Sequence, residues 1–450
     1  MKILYEDNHI IVVVKPVNVP VQADETGDLD LLTDLKAYIK QKYSKPGEVF
    51  LGLVHRLDRP VGGVMVFART SKAASRLQPQ FADKNGSGAK KRYAAVTCGN
   101  PPFSEKLEDF LLKNESERKS AVVPENTEGA KKASLYFERV TSKDGLSLLD
   151  IELHTGRHHQ IRVQLSHAGF PIWGDQKYNP TAVPGQQIAL FAYSLSFEHP
   201  TTRERMTFTA VPKGGIWNSF ADEAVLLSSG LKCVYSDRDI LVINKPYGVT
   251  VANADGGDNT LEAQLSASGM RVYPVHRLDA PTQGLVIFAR NTRAKEALDI
   301  AIRERTIKKT YRLLAGGTPE KKEGTLTFYA VKNSSAAAPV RVLDRRVTGS
   351  AQMITDYRVI KSFDGISLIE ATLVTGRTHQ LRASFAHIGC PILGDDKYGS
   401  RELNRSPVSR AYRKRSPLCL AATGIEFGFP SGSYLERLNG FKLFTQALFE

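Results

Sequence analysis

Apolar and polar positions alternate along this chain in two recurring ways. Short, branched apolar runs, such as Ile10 to Val14, Val64 to Ala68 and Leu285 to Ala289, have the length and composition of buried strands. Ser71 and Asn291 then stand where an N-cap would open the following helix. The tripeptides Lys143-Asp144-Gly145 and Phe363-Asp364-Gly365 each separate two strand-like stretches. Both predict a hairpin, because Asp-Gly tolerates the positive φ of the turn. Further on, Ile161, Leu165 and Ala168, and likewise Leu381, Phe385 and Ile388, fall at i, i+4 and i+7, which predicts a short helix with one apolar face. Gln160, Gln164 and His167 (Gln380, Ser384 and His387 in the later stretch) lie beside that face, and Gly169 or Gly389 stands at the C-terminal stop. Strands and helices mix without regular βαβ alternation, so the predicted class is α+β.

The same elements occur twice. His55-Arg56-Leu57-Asp58 returns as His276-Arg277-Leu278-Asp279, roughly 220 residues later. Lys91-Arg92-Tyr93 returns as Lys309-Thr310-Tyr311, Thr155-Gly156-Arg157-His158-His159-Gln160 as Thr375-Gly376-Arg377-Thr378-His379-Gln380, and Gly174-Asp175-Gln176-Lys177-Tyr178 as Gly394-Asp395-Asp396-Lys397-Tyr398. A Lys-Pro pair closes an early apolar run in both copies, at Lys15-Pro16 and Lys245-Pro246. Four motifs in one order, repeated at one period, are not a coincidence. The period is far longer than a solenoid repeat, so each copy is expected to be a domain with its own core: residues 1–222 and residues 223–450.

Composition narrows the class. The chain has 450 residues, 42% hydrophobic and 24% charged, as an ordinary globular protein does. No segment approaches the ~20 apolar residues of a membrane span, and no signal peptide is expected. Cys98, Cys233, Cys390 and Cys419 form no C-x-x-C pair, which fits incidental thiols in a reducing cytosol. A net charge of +14 suits a polyanionic partner.

Candidate chemistry gathers in the repeated motifs. In an extended stretch Arg56 and Asp58 share one face, as do Arg277 and Asp279, while His55 and His276 point away. Gly63 and Gly284 allow backbone or ligand to come close. Arg157 and Arg377 have two readings: a guanidinium fork on the aspartate of the same copy, or a cap on local carbonyls. Tyr93 and Tyr311 are either core aromatics with a hydroxyl partner or rings stacked on a base. His154, His158 and His159 look like a metal cluster, but Val374 and Thr378 replace the first two in the second copy, so no metal site is expected. Only His159 and His379 correspond, as residues that orient neighbours or contact a bound partner. With no P-loop, dinucleotide fingerprint or serine elbow, no cofactor is expected.

With these motifs in place, both halves resemble the RluA-type family of RNA pseudouridine synthases, over almost the whole chain. The His-Arg-Leu-Asp signature with its trailing glycine, the Lys-x-Tyr strand, the Thr-Gly-Arg-x-His-Gln run and the Gly-Asp-x-x-Tyr segment are each met twice. The resemblance implies that Asp58 and Asp279 are the catalytic aspartates and that Arg157 and Arg377 form salt bridges to them. Tyr93 and Tyr311 would pack on the target base, Arg56 and Arg277 would fill the gap left by a flipped uridine, and His55, His276, His159 and His379 would contact RNA. It further implies two tandem domains, each a long mixed, mainly antiparallel sheet flanked by helices and loops. The expected substrate is structured RNA, ribosomal first and transfer second. A cytoplasmic monomer with no membrane and no obligate protein partner is expected, starting directly at the synthase domain without the S4-like module of many relatives.

The first copy departs from the pattern at Asn18, where the second has Gly248, and at Val61-Gly62, where the family commonly has Thr-Ser and the second copy Thr282-Gln283. Asn tolerates a left-handed turn. Two other readings compete: one copy as a non-catalytic RNA platform, or a hydrolase pairing Asp58 and Asp279 with Asp175 and Asp395. The last two read better as loop anchors. The stretch from Arg401 to Pro417 carries six basic residues against Glu402 and is expected to be an exposed loop contacting RNA.

Overall fold

A computed structural model describes residues 2–25, 27–82, 88–252, 260–267, 269–332 and 339–450. The chain divides into two compact units, Met1–Gly230 and Leu231–Glu450. The division falls later than 222/223 because the helix Ala221–Ser229 belongs to the first unit. Its Glu223 takes an ion pair from Lys143 at 2.8 Å, and Gly230, at φ 75°, ends it.

Each unit is built on one 11-stranded sheet. In unit 1 the strands lie in the order Lys2–Glu6, Ile10–Lys15, Gly62–Ala68, Leu190–Glu198, Lys90–Cys98, Leu146–Leu153, Lys131–Lys143, Ser104–Asn114 and Lys119–Val123, with two short strands at the side. Unit 2 repeats the order strand for strand. Neighbours are antiparallel except at one seam per unit, where Gly62–Ala68 runs parallel to Leu190–Glu198, and Gln283–Ala289 to Leu420–Glu426. The α+β class and the mainly antiparallel mixed sheet are as expected.

The early apolar runs have no polar alternation because both their faces are covered. Ile11, Val13, Met65 and Phe67 face one core with Leu35 and Ile39. Ile10, Val12, Val64 and Val66 face another with Leu77 and Phe197. The predicted hairpins form: Asp144 and Gly145 have φ 52° and 75°, Asp364 and Gly365 φ 49° and 73°, the two left-handed residues of a tight turn. Asn291 caps its helix by accepting Ala294 N–H. In unit 1, however, Ser71 is already helical, and the hydroxyl of Thr70 accepts Ala73 N–H at 3.1 Å. Asn18 takes φ 62°, matching Gly248 at 81°.

Gly63 and Gly284 hold the parallel seam. Their φ values are 137° and 113°, and an added Cβ would lie 2.3 Å from Ala192 O in one unit and 2.2 Å from Ala422 O in the other. It is backbone that approaches these glycines. The seam strand begins a few residues after Asp58 or Asp279, so this contact sets where the aspartate loop leaves the sheet.

The stretch after Tyr398 is not a loop. It forms two short helices, Arg401–Arg405 and Pro407–Arg413. Ser400 and Ser406 cap their N-termini, and Leu403, Val408 and Tyr412 pack on a core around Leu314, Leu393 and Cys419.

Candidate active site

Asp58 sits in the turn before the seam strand, with its backbone oxygen accepting Val61 N–H at 3.0 Å. Its carboxylate is 29% exposed, so it is reachable from solvent and yet faces a wall of protein groups. The nearest cation is Arg162, whose Nη1 lies 3.4 Å from Asp58 Oδ2. Arg162 is held by Asp175, with Nε to Oδ2 at 2.8 Å and Nη2 to Oδ1 at 2.6 Å, a bidentate fork that leaves Nη1 free to aim at Asp58. Asp175 is fully buried and also accepts Lys177 N–H and Tyr178 N–H.

His159 completes this wall, with Nε2 3.7 Å from Asp58 Oδ2. Burial, with the charge of Arg162 next, pushes its pKa down to about 2, so it is neutral at physiological pH. Its Nδ1 lies 2.8 Å from the Tyr178 hydroxyl, which already accepts Ser120 N–H. With that hydroxyl donating to Nδ1, the ring carries its proton on Nε2, facing the carboxylate; this tautomer is assigned from the network. Tyr93 is buried to 7% exposure, and burial, then the charge of Asp58, raises the pKa of its hydroxyl. Asp58 is therefore within electrostatic reach of that phenol.

Unit 2 repeats the arrangement with one difference: Arg382 feels the charge of Asp279 but makes no ion pair with it among the described residues. His379 Nε2 lies 3.5 Å from Asp279 Oδ2 and its Nδ1 is 3.0 Å from the Tyr398 hydroxyl. Arg382 grips Asp395 through two bonds of 2.7 Å. Burial pushes the pKa of Asp395 up, but the Arg382 fork and two backbone N–H donors outweigh it and hold the group below its usual value. Tyr311 responds to burial and to Asp279 as Tyr93 does to Asp58. A cavity of about 590 Å³ opens here, lined by Arg277, Asp279, Lys309, Tyr311, His379 and Arg382 among others. That is room for a nucleotide.

The two candidate arginines of the Thr-Gly-Arg turn make no ion pair with the aspartates among the described residues, although Arg377 lines the same cavity as Asp279. Arg157 Nε donates to Lys132 O at 3.0 Å, and Arg377 Nε to Gln352 O at 3.3 Å. The turn holds them away: Gln160 Oε1 accepts the backbone N–H of Arg157 and the hydroxyl of Thr155, so the side chain emerges beside the neighbouring strand, and Arg377 is fixed in the same way. Of their two readings, the cap on a local carbonyl is the one realised. The arginine that meets the carboxylate lies five positions later, on the buried face of the helix Gln160–His167. The pairing of motifs stopped at His-Gln, although Arg162 and Arg382 also correspond.

His55 and His276 are scaffold groups. His55 Nε2 accepts Val66 N–H at 3.1 Å and its ring stacks on Phe81 at 4.6 Å; His276 Nε2 accepts Ile287 N–H at 3.0 Å. Burial, with Lys91 next, lowers the pKa of His55 to about 3, and the geometry lends no support to an RNA contact for either ring. Arg56 and Arg277 are exposed, with no ion pair among the described residues.

Lys15 and Lys245, noticed only as halves of a Lys-Pro pair, are 0% exposed. Lys15 Nζ donates to Pro16 O and Arg59 O, both at 2.9 Å, and Lys245 Nζ to Pro246 O, Val249 O and Ala280 O. They tie the end of the apolar strand to the residue just after each aspartate. Burial brings both ammonium groups down to about 8, against the charge of Asp58 or Asp279. A lysine repeated at the end of an apolar run, after Val14 in one copy and after Asn244 in the other, was the available signal.

Fold and site together give two like units, each with one reachable carboxylate among arginine, histidine and tyrosine side chains. The RNA pseudouridylate synthase family matches residues 9–167 and again 239–387, so the chain belongs to that family and carries its domain twice. It is 36% identical over 174 residues to ribosomal large subunit pseudouridine synthase C of Rickettsia conorii, a match covering 38% of this chain and 57% of that protein. It is 37% identical over 190 residues to an uncharacterized RNA pseudouridine synthase of Bacillus subtilis, covering 40% and 61%. The chain thus spans roughly three fifths of the length of these two relatives. Among solved structures, human RNA pseudouridylate synthase domain containing 4 is 22% identical with a TM-score of 0.40, covering 51% of this chain and 93% of that one. No helix among the described residues is long and apolar enough to cross a membrane.

Proposed function

We propose that this protein converts specific uridines of structured RNA, ribosomal RNA first and transfer RNA second, into pseudouridine, acting as a cytoplasmic monomer with Asp58 and Asp279 as the catalytic carboxylates. The carrying observation is that one constellation of carboxylate, clamped arginine, neutral histidine and buried tyrosine occurs in both units. The reaction breaks the bond from N1 to C1′, joins C1′ to C5, and moves the C5 proton to N1. No electrons are gained or lost, and an ionised carboxylate beside the sugar suits it.

In this reading Tyr93 and Tyr311 supply the face against which the base turns, and Arg56 and Arg277, which are exposed, enter the stack from which the base has left. Relatives named for the ribosomal large subunit support the choice of RNA. The hydrolase reading loses its second carboxylate: Asp175 and Asp395 are at most 1% exposed and locked to arginine, so they anchor the site and cannot serve as free acid or base.

The test is incubation of the full chain with in vitro transcribed large-subunit ribosomal RNA, followed by mass spectrometry and pseudouridine mapping. Pseudouridine should form with no change in RNA mass and should vanish in the Asp58→Ala/Asp279→Ala double variant. Release of free uracil would overturn the reading in favour of hydrolysis.

A further inference from the structure

The helices Arg401–Arg405 and Pro407–Arg413 have no counterpart in unit 1. There the matching stretch from Asn179 to Gln187 carries no charged residue and forms no helix. The helix pair has two dissimilar sides. Leu403, Val408 and Tyr412 face the core, and Leu403 lies over Gly316 so closely that a Cβ there would come within 2.4 Å of it. On the other side Arg401, Arg405, Arg410, Lys414 and Arg415 are all exposed. None of these five has an ion pair or a side-chain hydrogen bond among the described residues.

The pair is also braced. Arg413, the sixth basic residue, donates to Asn404 O at 3.0 Å and Pro417 O at 3.3 Å. Asn404 accepts Gly394 N–H and donates to Asp395 O, and Asp395 is the anchor of Arg382. Ser416 receives a 2.7 Å hydrogen bond from Gln283, which opens the seam strand four residues after Asp279. Five unneutralised positive charges are therefore fixed to the two segments that shape the second active site. Holding like charges together without counter-ions costs free energy, and it is recovered when a polyanion lies across them and releases its own counter-ions.

We propose that this helix pair is an RNA-docking surface belonging to unit 2 alone, gripping the phosphate backbone of the RNA whose uridine enters at Asp279. The inference rests on the functional reading above for the identity of the polyanion. Fixed cations on a short rigid platform select for RNA shape near the site, as phosphate contacts position a nucleic acid while base contacts specify it. Unit 1, with an uncharged stretch in the same place, grips its RNA by other groups.

The experiment compares three full-length proteins: wild type; a variant with Arg401, Arg405, Arg410, Lys414 and Arg415 each changed to Gln; and a control with Lys2, Lys40, Lys45, Lys72 and Lys213 each changed to Gln. The control loses the same charge from exposed positions of unit 1. Arg413 is kept because it braces the fold, and circular dichroism with thermal melting checks that the variant is folded. Binding to in vitro transcribed large-subunit ribosomal RNA is measured between 50 and 200 mM salt. The variant should bind at least about tenfold more weakly at the higher salt, with a log–log salt slope shallower by about 4, since each of the five lost phosphate contacts contributes roughly 0.7 to 0.9; the control should lie within about twofold of wild type. Equal losses in variant and control, or an unchanged variant, overturn the proposal. Pseudouridine formation by the wild type tests the functional reading separately: if it is absent while the variants still differ in binding, that reading falls and the docking surface stands.

Discussion

Arg162 and Arg157 differ in what they hold, and so in what their loss should do. Arg162 neutralises a carboxylate buried beyond the reach of water and turns one nitrogen to Asp58, whereas Arg157 touches one carbonyl at a half-exposed site. Removing one partner of a buried pair strands the other charge at a cost of about 3–5 kcal/mol. Arg162→Ala should therefore destabilise unit 1 by about that much and cut its activity by more than a hundredfold. Arg157→Ala should cost about 1 kcal/mol or less and leave activity within a few-fold. Chemical unfolding and single-turnover assays on the two variants decide it, and the opposite ranking would remove Arg162 from the site. The Thr-Gly-Arg run drew attention in the sequence because it repeats and sets an arginine just ahead of a short helix. Spacing along a turn says little about where a long side chain ends, and only packing of the helix Gln160–His167 reveals that its buried face carries an arginine.

His55 offers a second test at the same scale, through pH. Its folded pKa, about 3, lies below the ~6.5 of an unfolded histidine. The unfolded chain then takes up the proton first. Stability from this group is fully present above pH ~6.5 and is lost progressively as pH falls toward 3, by about 1.4 kcal/mol per unit. Between pH 7 and 5 the loss should be about 2 kcal/mol. In His55→Asn, whose amide oxygen can still accept Val66 N–H, that part of the pH dependence should disappear. Denaturant titrations at both pH values read it, and an equal pH dependence in variant and wild type would show that His55 charges freely in the fold.

At the scale of elements, the seam between parallel strands is the part that tolerates least. A methyl group on Gly63 would meet Ala192 O at 2.3 Å, with φ at 137°, so neither space nor backbone conformation allows it. Gly63→Ala should lower the stability of unit 1 by more than about 3 kcal/mol, and its melting transition should shift while that of unit 2 stays. An unshifted transition would mean that the strands part easily. The apolar runs, the Asp-Gly hairpins and the short helix after the Thr-Gly-Arg motif were all legible, because each rests on local periodicity or on one turn's φ requirement. The order of strands and the parallel seam were not, since pairing partners lie far apart along the chain. Nor were the helices after Tyr398: at five and seven residues they are too short to persist alone, and they exist through Asn404, Arg413 and the core under Leu403.

For the whole molecule, the repetition of motifs foretold two domains, and the matched pairs of contacts extend that equality to the sites. Asp58 and Asp279 each face a neutral histidine hydrogen-bonded to a tyrosine hydroxyl, and each stands beside an arginine held by a buried aspartate. The scaffolding is closely alike, apart from the ion pair of Arg162 with Asp58 that Arg382 does not make with Asp279 among the described residues, so both units are expected to run the same chemistry. Their surroundings differ, with an uncharged stretch from Asn179 to Gln187 in one and a basic helix pair in the other. RNA recognition goes largely through unpaired bases and the shape around them, so unlike rims should admit unlike uridines. Asp58→Ala should therefore abolish one set of pseudouridines and Asp279→Ala a different set, each leaving the other set at wild-type levels. Mapping across total RNA from cells carrying either variant makes the comparison directly. If one substitution erases every site, or one erases none, then a single unit catalyses and its twin only holds the RNA.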